Sequence, residues 1–235
     1  EGMADGDSAR AVREDTVFRI YSMTKPIVTA AAMSLFEEGA FQLDDPVVRF
    51  LPEFTDTPVW VEGEGEYMRT EPCASPLLIW HLMTHTAGLV YGQRNTSPVG
   101  ALCRTEGIDF SSRNSGTLAD TVRALAKVPL RWQPGTRWEY SVATDVLGRL
   151  VEVIAGKPLD RVLAERIFAP LDMNDTGFEL KAGQLERFAS LYNANEGGMT
   201  LLERADEHAS HARPVTLFSG GGGLVSTVGD YLRFA

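Results

Sequence analysis

The feature that most constrains this sequence is an apolar helix near its start. Residues 22–38 carry apolar side chains on most sides of a helical wheel, among them Ile27, Val28 and Leu35. Gly39 follows directly, at the position where glycine commonly ends a helix. A helix that is apolar all round has no face for water, so it has to lie inside a domain. The sequence therefore predicts a fold built around this central helix.

Cap and breaker signals predict the other elements. The segment 16–21 is rich in β-branched and aromatic residues, which favours a short strand leading into the central helix. Further helices are predicted over 75–85 with Ser75 as the N-cap, 117–127, 141–155, 158–168 and from 227 to the end. Turn signals from Leu43 onward predict an excursion over the surface.

The order of these elements predicts a mainly helical middle region, about residues 43–175, with few strands. The last predicted helix runs into Ala235 without a stop signal. We therefore expect residues 1–235 to form one domain that is incomplete at its C-terminal end, so that the chain is a fragment of a longer protein.

Composition excludes some functions. The net charge of −10 at pH 7 argues against a nucleic-acid partner, which would need a basic face. No apolar run approaches the roughly 20 residues of a membrane-spanning helix, so we expect a soluble protein. The compartment stays open, with the cytoplasm slightly favoured over the periplasm, and so does the oligomeric state. Cys73 and Cys103 are expected to be free thiols.

Ser22 and Lys25 are the first candidates for chemistry. Their spacing of three at the start of a helix puts the hydroxyl and the amine on one face. A serine hydroxyl needs a neighbour that accepts its proton, and burial lowers the pKa of an amine enough for this task. The helix N-terminus also favours negative charge on the reacting oxygen. The alternative is a helix cap followed by a solvated lysine.

Tyr140 is the second candidate. It follows a turn that begins at Pro134–Gly135 and precedes the predicted helix 141–155. A phenol close to a lysine cation has a lowered pKa, so Tyr140 could move a proton between Ser22 and a leaving group. The alternative is a tyrosine that only packs with Trp138 at a helix entrance.

Four segments together resemble a known family. They are Phe-Arg-Ile-Tyr-Ser-Met-Thr-Lys-Pro at 18–26, His-Leu-Met-Thr-His-Thr-Ala-Gly-Leu at 81–89, the Pro-Gly-x-x-Trp-x-Tyr-Ser segment at 134–141, and Gly-Gly-Leu-Val-Ser-Thr at 222–227. In this order they resemble serine β-lactamases and penicillin-binding proteins of the class C type, which include family VIII carboxylesterases. The resemblance implies a β-lactamase/transpeptidase-like α/β sandwich with a mainly helical region, and here most of the C-terminal strands would be missing.

The same resemblance implies that Ser22 is the nucleophile, Lys25 its base and Tyr140 the catalytic tyrosine of an acyl-enzyme mechanism. The family's strand motif, Lys-Thr-Gly, His-x-Gly or Trp-Gly-Gly, matches nothing in this chain. Where β-lactamases have Tyr-x-Asn, this chain has Val142, which cannot bind a substrate amide. Ester hydrolysis is therefore favoured, with amide bonds also considered. The alternatives are a β-lactamase or DD-peptidase, or a non-catalytic penicillin-sensing module.

No cofactor or metal is expected. His81 and His85 have a zinc-like spacing, but residue 82 is leucine rather than glutamate and no third ligand is evident. His208 and His211 are expected to be solvated in a polar loop. The glycine run at 220–223 lacks the Lys-Ser/Thr of a phosphate loop, so we expect it to allow close backbone approach near the active cleft. The expected partner is a small ester, or a β-lactam or peptide, whose binding residues the sequence does not assign.

Overall fold

A computed structural model describes residues 2–6, 8–111 and 116–235 of the protein. The predicted apolar helix lies at its centre, where a 3-10 turn over Tyr21–Met23 leads into α1, Thr24–Glu37. Gly39, with a φ of +76°, donates its N–H to the Phe36 carbonyl and stops the helix. The buried central helix and its glycine stop are thereby confirmed.

The described part of the chain has six shorter α-helices. They are α2 (Ile79–Met83), α3 (Pro98–Thr105), α4 (Leu118–Leu125), α5 (Ala143–Ala155), α6 (Leu159–Leu163) and α7 (Val228–Phe234). Of these, α5 and α6 pack against α1. A single π turn over Ala164–Phe168 extends α6. Since α5 contacts α1, α2, α4 and α6, it is the second helix of the core.

Strands are more numerous than the sequence indicated. They are β1 (Met3–Asp5), β2 (Arg10–Ala11), β3 (Phe18–Arg19), β4 (Val59–Glu62), β5 (Arg69–Glu71), β6 (Leu191–Asn195), β7 (Gly198–Glu203) and β8 (Val225–Ser226). Among the described residues they pair in sequence order, except that β3 pairs with β8, as antiparallel two-stranded sheets. The middle region is mainly helical as predicted, with only β4 and β5 among its described residues between 43 and 175. Most of the strands that the sequence did not indicate lie outside it, because strands this short show too little alternation to be recognised.

The pairing of β3 with β8 joins the two ends of the chain next to the central helix. Phe18 lies opposite Ser226 and Arg19 opposite Val225. The Ile20 N–H continues the ladder by donating to the Leu224 carbonyl at 3.1 Å. Consequently the glycine run before β8 is brought against the first turn of α1.

The helix predicted over 75–85 is confined to α2, and Ser75 is not its N-cap. The Val47 N–H donates to the Leu77 carbonyl at 2.8 Å, which keeps the chain before α2 extended. The same signal of serine followed by proline was overlooked at the start of α3, where the Ser97 hydroxyl accepts the Gly100 N–H at 3.3 Å. Tertiary pairing therefore decided which of the two Ser-Pro pairs begins a helix.

The expected surface excursion after Leu43 is also wrong. Between its turns, Val47, Leu51, Phe54 and Val59 are buried in the main core. Pro and Gly marked the turns correctly, but the single apolar residues between them lack a period from which burial could be predicted.

Two smaller expectations can be compared with the structure. Cys73 is half-buried and Cys103 buried, and both are free thiols as predicted. Within the described ranges, no helix combines the length and apolar character needed to cross a bilayer.

Candidate active site

Ser22 lies where a strand turns into the central helix. The preceding residue, Tyr21, has a φ of +43°, a left-handed conformation that is strained for a side chain with a Cβ. The hydrogen bond from Ile20 to Leu224 fixes the chain just before this strained residue. The turn leaves Ser22 exposed at the head of α1, where it lines a cleft.

Lys25 lies three residues further along and is only 9% exposed. Its ammonium donates to the Ser22 hydroxyl at 3.1 Å and to the Gly221 carbonyl at 2.6 Å. The Nζ atom also lies 4.6 Å from the ring centroid of Tyr140, within the range of a cation–π interaction. The lysine is therefore not a solvated residue after a helix cap, because its amine is held against the serine.

Tyr140 reaches the same hydroxyl from the start of α5. Its phenol donates to Ser22 Oγ at 2.6 Å. Trp138 is 67% exposed and its ring centroid lies 6.5 Å from that of Tyr140, so packing with Trp138 does not explain where the tyrosine lies. Burial tends to raise the pKa of Tyr140, but the hydrogen bonds with Lys25 and Ser22 and the lysine charge outweigh it, so the pKa is lowered.

His85 supports the segment that carries Tyr140. Its Nδ1 accepts the backbone N–H of Ser141 at 3.3 Å, and its ring centroid lies 4.8 Å from that of Tyr140. Burial and the positive charge of Lys25 lower the pKa of His85, which favours the neutral ring that can accept this hydrogen bond.

His81, the other imidazole at zinc-like spacing, also binds backbone. Its Nδ1 accepts the Leu78 N–H at 3.0 Å, which closes the first turn of α2. Among the described residues no group of three or more His, Cys, Asp or Glu side chains could hold a metal ion.

The glycine run allows close backbone approach, as the sequence predicted. A Cβ on Gly221 would lie 2.3 Å from Asp145 Oδ2 and 2.9 Å from the Tyr91 hydroxyl, and one on Gly220 would lie 2.6 Å from the Thr144 carbonyl oxygen. Only glycine allows the segment to lie this close to α5 and still present the Gly221 carbonyl to Lys25.

Sequence reasoning overlooked Asp145 and Tyr91. Asp145 lies in the first turn of α5 and is fully buried, with Oδ1 accepting from the Ser219 hydroxyl at 2.6 Å and from the Gly221 N–H at 2.9 Å. The signal was an acidic residue among apolar ones, five positions after Tyr140. Tyr91 forms an aromatic wall, with its ring centroid 5.5 Å from that of Tyr140. No sequence pattern distinguishes Tyr91 from a packing residue.

A cleft of about 890 Å³ opens in front of Ser22. Its lining includes Tyr91, Arg94, Phe110, Tyr140, Arg213, Leu217 and the segment 219–223 except Gly220. His208 and His211 also line it, and His208 is exposed as predicted, whereas the prediction for His211 is wrong. His211 is 6% exposed and its ring centroid lies 5.9 Å from that of Phe188. The cleft is large enough for a small organic substrate.

The fold and this arrangement agree with the resemblance to serine β-lactamases and penicillin-binding proteins. The family model described as Beta-lactamase matches residues 1–235. The chain therefore belongs to the beta-lactamase family, and its mixed helices and strands form a β-lactamase/transpeptidase-like fold.

Two curated relatives show what this chain is similar to. Protein Rv1367c of Mycobacterium tuberculosis is 40% identical over 233 residues, which cover 99% of this chain and 56% of that protein. Esterase EstB of Burkholderia gladioli is 36% identical over 249 residues, covering 99% of this chain and 59% of the esterase. The chain thus spans a little more than half the length of these relatives.

Among solved structures, EstCE1, described as a hydrolase with promiscuous acyltransferase activity, superposes with a TM-score of 0.80. It is 31% identical, and the match covers 99% of this chain and 61% of EstCE1. Relatives of this family that are similar over nearly all of this chain therefore include an esterase and a hydrolase that also transfers acyl groups.

Proposed function

We propose that this chain carries the active site of a serine carboxylesterase that works through an acyl-enzyme, with residues 1–235 acting as one hydrolase domain. One observation carries the proposal: the Tyr140 phenol at 2.6 Å and the Lys25 amine at 3.1 Å converge on the Ser22 hydroxyl. Both distances allow direct proton transfer from the serine. The strained turn at Tyr21 and the fixed lysine supply the preorganisation that a nucleophile requires.

The proposed reaction has two steps. With Lys25 as the neutral amine, its nitrogen accepts the Ser22 proton while Ser22 Oγ bonds to the ester carbonyl carbon. The proton moves directly or through the Tyr140 phenol, which accepts it from Ser22 as it gives its own proton to Lys25. The tetrahedral intermediate collapses, the ester C–O bond breaks, and the leaving alcohol takes that proton. Water then attacks the acyl-enzyme, gives its proton through the same groups to Ser22, and releases the acid.

The backbone supports the negative charge that develops in each step. The Ser22 N–H lies at the beginning of the 3-10 turn, where the first N–H groups have no acceptor within the helix. We assign this N–H as one donor to the oxyanion, assisted by the field of the helix N-terminus.

An ester is favoured over a β-lactam or a peptide because of Val142. This residue occupies the position where the family's lactam-cleaving members have asparagine, and its side chain is 3% exposed in the core. A valine there offers no hydrogen bond to a substrate amide. The esterase EstB, at 36% identity, supports the same choice.

Acyl transfer to an alcohol is a second candidate. The acyl-enzyme is the same, and an alcohol replaces water in the second step. The cleft of about 890 Å³ has room for an acceptor beside an acyl group, and the described activity of EstCE1 supports this candidate.

The test compares turnover of p-nitrophenyl butyrate, nitrocefin and a D-Ala-D-Ala peptide by the full chain and by Ser22→Ala, with melting temperatures as the folding control. We expect ester turnover to be the fastest of the three and to fall by about 10⁴-fold or more in the variant, which should melt like the wild type. Parental ester turnover by Ser22→Ala contradicts the proposal, and faster nitrocefin turnover favours a β-lactamase.

A penicillin-sensing module is the alternative outside the enzymes. It would react once at serine and stop. Titrating the reactive serines with a fluorophosphonate and then counting product molecules per titrated site separates the two. Many turnovers per site are expected here, and a single turnover would indicate a sensor. The same assay with an added alcohol measures the share of acyl transfer.

A further inference from the structure

Asp145 is a buried acidic residue that the proposed mechanism does not use. It is fully enclosed in the first turn of α5, and its Oδ2 atom has no hydrogen-bond partner among the described residues. A carboxylate in such surroundings is poorly solvated, so its presence calls for a physical reason.

The contacts of Asp145 lead to the candidate nucleophile in three steps. Asp145 Oδ1 accepts the Gly221 N–H at 2.9 Å, the Gly221 carbonyl accepts from Lys25 Nζ at 2.6 Å, and Lys25 Nζ lies 3.1 Å from Ser22 Oγ. The Ser219 hydroxyl donates to the same Oδ1 at 2.6 Å. The carboxylate therefore holds the glycine turn at two points, and the turn holds the lysine.

The turn also packs closely against α5, where a Cβ on Gly220 would lie 2.6 Å from the Thr144 carbonyl oxygen. The Gly223 N–H donates to the Ser219 carbonyl at 3.0 Å, which closes the turn on itself but does not attach it to α5. Glycines impose few backbone restrictions of their own, so the segment depends on such anchors for a single conformation. We therefore expect loss of the carboxylate to leave the Gly221 carbonyl less firmly held at the lysine.

The charge of Asp145 is balanced by few groups. Lys25 on α1 and the Tyr91 phenol are the ionisable side chains that face it, and Arg94 acts on Tyr91 from the rim of the cleft. Burial raises the pKa of Asp145 to about 6, although the Ser219 and Gly221 hydrogen bonds and the Lys25 charge oppose the rise. The carboxylate is therefore charged at neutral pH and becomes neutral in mild acid.

We propose that Asp145 is a positioning residue: its carboxylate fixes the turn at 219–221 so that the Gly221 carbonyl holds the Lys25 amine against Ser22. This inference rests on the proposed function, because only in the proposed reaction does Lys25 have a proton to accept from Ser22. It concerns the rate of the chemical step rather than substrate affinity.

The test uses Asp145→Asn, which keeps the shape and one acceptor oxygen but removes the charge, with Ser219→Ala as the partner variant. Both are made in the full chain and assayed with p-nitrophenyl butyrate from pH 4.5 to 8, with rates divided by the number of fluorophosphonate-titrated serines. We expect Asp145→Asn to lower kcat by about 10²-fold with KM nearly unchanged, since small misplacements of reacting groups have effects of this size.

The pH dependence of kcat distinguishes a positioning role of Asp145 from a purely structural one, because a purely structural role would leave the pH profile unchanged. Wild-type kcat should fall as pH decreases through the pKa of Asp145, and this acidic limb should be absent in Asp145→Asn. In Ser219→Ala the limb should shift to higher pH, because the lost hydroxyl had favoured the charged carboxylate. A limb at the wild-type pH in both variants, or wild-type kcat per titrated serine in Asp145→Asn, overturns the inference. If the wild type itself neither reacts nor turns over ester, the proposed function fails and this inference fails with it.

Discussion

The two central helices, α1 and α5, each bring one charged side chain into the core, and they surround it differently. Lys25 of α1 lies behind the cleft, and the Ser22 hydroxyl and the Gly221 carbonyl accept its hydrogen bonds. Asp145 of α5 is enclosed, and its Oδ2 has no hydrogen-bond partner within the described residues. Both helices contact the same glycine, Lys25 through the Gly221 carbonyl and Asp145 through its N–H.

In the proposed mechanism, Lys25 is the group that reacts and Asp145 is the group that holds it in place. The lysine lies against Ser22 with two hydrogen-bond acceptors, as expected of the proposed proton acceptor. The aspartate is incompletely solvated, so it reduces stability while it holds the turn. Proteins keep such locally unfavourable features mainly at functional sites. Three substitutions test this distinction, in order of decreasing expected effect.

Lys25→Met tests the proposed proton acceptor. Methionine has a similar length but cannot accept a proton, so kcat/KM for p-nitrophenyl butyrate should fall by about 10³-fold. Stability should fall, because the Gly221 carbonyl loses its donor and the buried Asp145 carboxylate loses a compensating charge. Lys127→Met is the control, since Lys127 is exposed beyond α4, and it should leave both quantities unchanged. A fall in activity of less than about tenfold for Lys25→Met would show that the amine does not take the serine proton.

Asp145→Asn tests the proposed positioning residue by its effect on stability rather than on rate. Folding raises the pKa of Asp145 from 3.8 to about 6. Between these two pH values the Asp145 carboxyl is therefore more protonated in the folded than in the unfolded protein. The contribution of Asp145 to stability is therefore greatest below pH 4 and is lost as pH rises through 6, by about 3 kcal/mol. The asparagine variant lacks this loss. Urea unfolding at pH 4 and pH 7 measures it, and equal pH dependence in the two proteins would refute the assignment.

Gly221→Ala tests the contact that the two helices share. The new Cβ would lie 2.3 Å from Asp145 Oδ2, so the turn has to move away from α5. We expect a loss of about 2 kcal/mol in unfolding free energy together with a lower kcat. Gly229→Ala is the matched control, because its Cβ would have no neighbour closer than 3.9 Å, and helix propensity should stabilise it by up to about 1 kcal/mol. Equal stability changes in the two variants would show that the close approach is unimportant.

The sequence predicted α1 and its neighbours well for a physical reason. Apolar periodicity and the Gly39 stop act locally, so residues 22–38 could be assigned without their partners. The pairing of Ser22 with Lys25 is also local, because residues three apart lie within one helical turn. Tyr140 is 118 positions away from Ser22, and only the family resemblance indicated that they meet.

The elements that were missed depend on contacts between distant segments. The two residues of β3 and the two of β8 become strands only by pairing with each other. Asp145 binds Ser219 and Gly221 more than 70 positions away, and nothing in the local pattern around it indicated those partners. Val47 keeps the chain before α2 extended for the same reason. Long-range pairing, rather than weak propensity, limited the prediction.

The central claim is that Ser22 alone forms the covalent intermediate. The direct measurement is peptide mapping by mass spectrometry after the full chain has been inactivated with a fluorophosphonate. The account predicts a phosphonyl group on the peptide that contains Ser22, in step with the loss of ester hydrolysis, and no labelling of Ser22→Ala. Complete inactivation with the label on another residue and Ser22 unmodified would contradict it.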